Sequence, residues 1–182
     1  MKPDETIYLD YAATTPVAPQ VLTAMLPYLT TAFGNPSSSH AMGRVAKHAV
    51  EEARGEIASF LNVKPSEVIF TSGGSESNVL AIKGMLLKKK TGHLVLSAVE
   101  HPSSLDAAKQ LEKNGYAVTL VSPTSEGEIC VDSVANAITD DTVLVSVMVG
   151  NNEIGTMNDV EAMATICRER GVTFHTDAAQ AV

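Results

Sequence analysis

The sequence predicts an α/β fold, a mostly parallel sheet with helices on both faces. Three observations carry that prediction. Short apolar runs recur from residue 67 onward, each run is followed by a polar or glycine-containing loop, and an amphipathic segment then precedes the next run. Strands buried on both faces read as apolar runs, and parallel neighbours need helical crossovers, so this alternation indicates a covered parallel sheet. With 182 residues, 45% of them hydrophobic and 19% charged, the chain is long enough to bury a real core.

The elements follow in order. Tyr8 to Thr15 reads as extended, and Pro16 to Leu29 as a helix with Val17, Val21, Met25 and Leu29 at helical spacing. Gly34-Asn35-Pro36-Ser37-Ser38-Ser39 is turn chemistry. A long helix is expected from Met42 to Phe60, with Val45, Ala49, Ala53, Ile57 and Phe60 on one face. Five strands are then predicted, at Val68–Phe70, Leu94–Leu96, Val118–Val121, Val143–Val147 and Val172–Phe174. The helices between them are Ser75–Leu87, Ser103–Lys113, Ser133–Ile138 and Val160–Arg168. Lys88, Lys89 and Lys90 follow the first of these helices, where cations favour the negative end of the helix dipole. No linker, repeat or low-complexity tract marks an internal boundary.

Composition narrows the function classes. Thirteen Lys and Arg against 21 Asp and Glu give a formal charge of −8, which argues against nonspecific nucleic-acid binding. No apolar run reaches the roughly 18–20 residues of a membrane span, and MKPDETIYLD lacks the apolar segment of a signal peptide, so a cytoplasmic location is expected. Cys130 and Cys167 lie far apart and form no CxxC, so a metal site or disulfide is not expected.

In a parallel sheet, ligands bind beyond the carboxyl ends of the strands. Thr71-Ser72-Gly73-Gly74-Ser75-Glu76 follows the first predicted strand and Glu100-His101-Pro102-Ser103 the second. Asn151-Asn152-Glu153 follows the fourth, and Asp177, with Gln180 nearby, the last. Thr71 to Ser75 could cradle a phosphate, because glycines allow close backbone approach and the following helix offers free N–H groups. It is neither GxGxxG nor a Walker A sequence, and it could equally be a capped strand-to-helix turn. Asp177 could hold a protonated heterocyclic nitrogen or cap the segment from Ala178. His101 could stack on a planar ligand, move protons or be a loop residue, and Asn152 could donate to a ligand oxygen or shape a turn. A phosphate cradle, an imidazole, an amide and a carboxylate on one sheet edge together match the needs of pyridoxal phosphate (PLP), whose ring nitrogen takes an acidic partner.

The same residues resemble a known family. Tyr8 to Pro16, Gly34 to His40, Phe70 to Asn78, Glu100-His101, Asn151 to Gly155 and His175 to Gln180 are similar, in order and across the whole chain, to cysteine desulfurases of the NifS/IscS type. These are PLP enzymes of the class V aminotransferase superfamily. The resemblance implies the PLP-binding large domain of a fold type I enzyme, here residues 16–182 and incomplete at the C-terminus, with residues 1–15 an arm that would join the small domain. It implies conversion of L-cysteine to L-alanine, sulfur transfer to an acceptor or scaffold protein for iron–sulfur or thio-cofactor assembly, and a homodimer.

By position, Gly74 and Ser75 would bind the phosphate with Thr71 beside them. His101 would stack over the pyridine ring and take part in proton transfer. Asp177 would pair with the ring nitrogen, Gln180 would bond the phenolic oxygen, and Asn152 would lie beside cofactor and substrate. The family's Schiff-base lysine and persulfide-forming cysteine fall beyond Val182. None of the nine lysines, Lys2 and Lys64 included, and neither Cys130 nor Cys167 fits those roles, so the chain is expected to be an N-terminal portion, inactive by itself. A short non-catalytic binding or dimerisation module and another class V enzyme, such as a selenocysteine lyase, are the alternatives.

Overall fold

A computed structural model describes residues 7–89 and 91–181. Lys2 and Lys90, which the sequence places in the arm and the basic run, lie outside the described residues. The chain packs as two compact units, Met1–Phe70 and Thr71–Val182. The described part of the expected arm, residues 7–15, falls within the first.

In the first unit, Tyr8 to Thr15 is not uniformly extended. A turn forms at residues 11–13, where Ala13 N–H donates to the Asp10 carbonyl at 3.2 Å, and Tyr8 packs edge-on against Tyr11. Helix α1 (Pro19–Thr30) begins three residues later than expected. Pro19 sets that start, since a proline in the first turn forfeits no helical hydrogen bond and brings a preset φ. Helix α2 (Ala41–Phe60) starts at His40, whose Nδ1 accepts the Gly43 N–H at 3.4 Å. The turn at 34–39 packs so closely on this end that a Cβ at Gly43 would lie 2.7 Å from the Ser38 Cβ and 2.8 Å from the Asn35 carbonyl oxygen. The α2 face therefore differs from the expected one: Gly43, Ala46 and Ala58 are buried, while Val45, Ile57 and Phe60 are exposed.

Val68–Phe70, expected as the first strand, is not one. A strand exists through the hydrogen bonds of a partner, and no strand pairs with these residues among the described ones. Instead, after a 3₁₀ turn at Pro65–Glu67, the Val68 carbonyl accepts from Arg54 Nη1 at 2.5 Å, and the Arg54 guanidinium lies 4.8 Å from the centre of the Phe70 ring.

The second unit is the predicted covered sheet, with four strands. Its order along the chain is α3 (Gly74–Leu86), β1 (His93–Ser97), α4 (Pro102–Lys113), β2 (Ala117–Val121), α5 (Val131–Ala137), β3 (Thr142–Ser146), α6 (Val160–Glu169) and β4 (Thr173–His175). All strand pairs are parallel and the spatial order is β2-β1-β3-β4.

Alternation along the strands divides the core. Leu94, Leu96 and Leu144 pack with Ile82 and Leu86 of α3 and Ala107, Ala108 and Leu111 of α4. Val95, Val145 and Val121 face the opposite way, toward Val134 of α5 and Met163 and Cys167 of α6. Each face is thus sealed by two helices, which is why β1 and β3 are buried along their whole length.

At the amino-terminal edge, His93 is buried with both ring nitrogens bonded, Nδ1 to Thr142 Oγ1 at 2.8 Å and Nε2 to Thr119 Oγ1 at 2.9 Å. That imidazole ties β1 to both its neighbours.

Candidate functional site

The topology fixes where a ligand can bind. From β1 the chain crosses one way to β2, and from β3 the other way to β4, so the connections diverge between β1 and β3 and leave a crevice beyond their carboxyl ends. The loops at that edge hold the residues singled out in the sequence.

Helix α3 opens the site. Gly73 is its N-cap and supplies no side-chain cap, so the first-turn N–H groups of Gly74 and Ser75 have no intrahelical acceptor. A Cβ at Gly73 or Gly74 would meet nothing within 4 Å, so the approach is open. Such a helix start attracts anions. Ser75 is exposed at this start. Thr71 plays a different part: its hydroxyl turns back to the Gly73 carbonyl at 3.2 Å and to Ser77 Oγ at 2.7 Å, so it shapes the loop. Ser72 donates its N–H and its hydroxyl to Glu76 Oε2, each at 2.6 Å, and these bonds hold the Glu76 carboxyl below the usual carboxylate range.

His101 caps α4. Its Nδ1 accepts the Ser103 N–H at 3.1 Å and lies 2.7 Å from the Ser103 hydroxyl. Asp177 follows β4. Its backbone carbonyl accepts from Val149 N–H at 2.9 Å, extending the β3–β4 pairing, while Oδ1 accepts from Ala179 N–H at 2.9 Å, the turn-capping role open in the sequence. Oδ2 accepts from Asn78 Nδ2 at 2.7 Å, and the same nitrogen lies 3.2 Å from Ser103 Oγ. Asn78 therefore joins the α3 start, the His101 loop and Asp177.

Sequence reasoning passed over Asn78 as a site residue. Its signal was an amide on the apolar face of α3, four and eight residues before Ile82 and Leu86, with which it is buried. A buried amide must find partners, and its partners here are the site.

Glu100, the residue before His101, is 4% exposed. Its Oε1 accepts the Met148 N–H at 2.6 Å, which links the ends of β1 and β3, and Oε2 has no partner. Burial, with the Asp177 charge adding to it, pushes the carboxyl up to about 7 against the pull of the Met148 and Ser97 hydrogen bonds. His175, bonded through Nδ1 to Ser146 Oγ at 2.8 Å, is pushed down by burial.

Asn152 is exposed in a turn shaped by its neighbour. Asn151 Oδ1 accepts from the N–H groups of Glu153 and Ile154, and its Nδ2 donates to the Val99 carbonyl at 3.0 Å. Gln180 lies exposed in the turn after Asp177. Cys167 is buried in the core and Cys130 exposed at the start of α5. Among the described residues, no three of His, Cys, Asp and Glu come together as a metal site, and no helix is long and apolar enough to cross a membrane.

An uncapped helix start, a carboxylate and an imidazole thus share one edge of a parallel sheet. Residues 7–182 match the aminotransferase class-V family, and the chain belongs to it.

Within that family it is similar to the cysteine desulfurase IscS of Neisseria meningitidis serogroup C, with 51% identity over 178 residues, 96% of this chain and 44% of that one. The cysteine desulfurase IscS of Rickettsia bellii gives 51% over 177 residues, 96% of this chain and 43% of the other. Among solved structures, SspA in complex with cysteine superposes with a TM-score of 0.94 at 43% identity, covering 97% of this chain and 51% of that one. A NIFS-like protein gives 0.91 at 33%, covering 97% and 50%. The chain spans about half the length of the relatives it matches. The four-stranded parallel sheet with helices on both faces agrees with the fold class read from the sequence.

Proposed function

We propose that this chain supplies the noncovalent cofactor cradle of a PLP-dependent cysteine desulfurase. The observation that carries the reading is the Asn78 bridge, which holds the Asp177 carboxylate beside His101 at the same sheet edge as the uncapped start of α3. PLP has a phosphate, a planar ring and a protonatable ring nitrogen, and this edge offers a partner for each. When bound, PLP supplies an electron sink for charge that develops on an amino-acid substrate.

The chain's own residues then divide the work. Gly74 and Ser75 bind the phosphate through backbone N–H groups and the Ser75 hydroxyl, with the dipole of α3 adding to the attraction. Asp177 accepts the proton-bearing ring nitrogen and keeps that nitrogen charged. His101 would stack on the ring, Gln180 would hydrogen-bond the phenolic oxygen, and Asn152 would lie beside cofactor and substrate. L-cysteine as substrate is supported by the likeness to a protein solved in complex with cysteine. Sulfur delivery to a scaffold protein for iron–sulfur cluster assembly and a homodimeric state belong to the same reading and are supported by the family resemblance, and a cytoplasmic location is proposed with them.

Titrating the purified chain with PLP, followed by absorbance, tests the cradle. Saturable binding is expected, weakened about tenfold or more in Asp177→Ala, because a hydrogen bond to a charged partner is lost. Equal binding by wild type and D177A would refute the assignment. Alanine and sulfide formation from L-cysteine by the polypeptide carrying these residues tests the reaction.

A further inference from the structure

The hydrogens of the Asn78 bridge can be placed one by one. The carboxylate of Asp177 accepts only, so the Asn78 amide must turn its NH2 toward Oδ2; with the amide flipped, two oxygens would face each other at 2.7 Å. The second hydrogen of that NH2 is then available to Ser103 Oγ, 3.2 Å away. A serine hydroxyl that accepts on its lone pair keeps its own proton to donate, and the neighbour within reach is His101 Nδ1 at 2.7 Å. The Ser103 backbone N–H points at the same nitrogen from 3.1 Å, so Nδ1 is an acceptor twice over. The proton of the neutral imidazole must therefore sit on Nε2.

Every donor in this sequence points away from Asn78, one branch ending on a carboxylate and the other on an imidazole. The arrangement joins two groups that share no direct hydrogen bond. We propose that Asn78 is a positioning residue that transmits the state of Asp177 to His101: it bridges Asp177 and Ser103 through the two hydrogens of one amide and so holds His101 in the tautomer that presents Nε2–H to the site. Its bearing on catalysis rests on the cofactor reading above, whereas the transmission itself is a property of the chain.

The consequence is a site whose ring-nitrogen anchor and ring-covering imidazole are set together. A change at Asp177 reorients the Asn78 amide and releases Ser103 Oγ, which leaves the Ser103 backbone N–H as the remaining donor to His101 Nδ1 and weakens the tautomer preference. Ser104, whose buried hydroxyl has no partner, lies next to Ser103 and takes no part in the relay.

The experiment is 15N NMR of histidine side chains in the labelled protein, with the His101 signals assigned through H101Q. In the wild type, Nδ1 is expected to show the shift of an unprotonated nitrogen and Nε2 that of a protonated one, favoured by about tenfold or more. In D177N the preference is expected to fall severalfold, although residue 177 has no hydrogen bond to His101. In N78A it is expected to fall as well, and adding D177N to N78A should then change nothing further. The His93 signals, buried at the opposite edge of the sheet, report that each variant is folded.

A wild-type His101 protonated on Nδ1 would overturn the proposal. A D177N effect that persists undiminished in the N78A background would do so too, because it would show an influence through space. PLP titration of the same samples separates the two readings. Failure of the wild type to bind PLP sinks the cofactor assignment, while the tautomer comparison still decides the relay.

Discussion

Glu100 shows how one buried group imposes a pH dependence on the stability of the fold. Its carboxyl titrates at about 7 in the folded chain against an ordinary 4.5. Between those values the folded state holds a proton that the unfolded state has released, so stability falls as pH rises through that window and is flat outside it. His93 and His175, both pushed down by burial, act in the opposite sense: their contribution is present above the ordinary histidine value of 6.5 and is lost as pH falls below it. Glu100→Gln separates the effects. Urea unfolding at pH 4.5 and pH 8 should show the wild type losing on the order of 3 kcal/mol relative to E100Q over that interval, and parallel profiles for the two proteins would reject it. Legibility at this scale was uneven. His101 and Asp177 could be picked out because they end apolar runs, a position that needs no partner to be recognised. Asn78 could not, because its meaning depends on Ser103 and Asp177, and the latter is 99 positions away.

Among the elements, the strands that could be read from the sequence are those whose partners the chain itself supplies. β1, β2, β3 and β4 fall within a residue or two of the predicted runs, since their apolar side chains pack against helices, on both faces along the whole of β1 and β3. Val68–Phe70 has the same composition, yet Ile69 and Phe70 are exposed and the backbone is held by an arginine. Composition reports a side chain's preference for burial, and pairing requires a second strand. The α2 face failed for a related reason: the turn at 34–39 selects Gly43 by close approach, which no periodicity encodes. Where the strands do pair, polar groups join them as well. Thr142 Oγ1 meets His93 Nδ1 at 2.8 Å and accepts the Thr139 N–H at 2.8 Å, so Thr142→Val keeps the shape, strands the Thr139 N–H and leaves His93 Nδ1 only the longer contact to Thr139 Oγ1 at 3.3 Å. A loss of about 1–3 kcal/mol in denaturant unfolding is expected, and an unchanged midpoint would show that the network contributes nothing.

At the scale of the whole molecule, the two compact units differ in how they bury their elements. β1 and β3 are buried at every residue, whereas α1 has no buried residue at all. Hydrogen exchange should reflect this directly: amides of α1 are expected to exchange at least about a hundredfold faster than those of β1 and β3. Equal protection would mean that α1 is covered in solution.

The Asn78–Asp177 bond adds a consequence in time. At a synthesis rate of about 5–20 residues per second, a span of 99 residues separates the emergence of the two partners by roughly 5–20 s. Throughout that interval the nascent chain carries the start of α3 without the Asp177 carboxylate to which Asn78 donates. The Asn78 side chain can complete its hydrogen bonds only when the turn after β4 arrives. The β3–β4 pairing and the Asn78–Asp177 bond therefore form together, well after α3 has emerged.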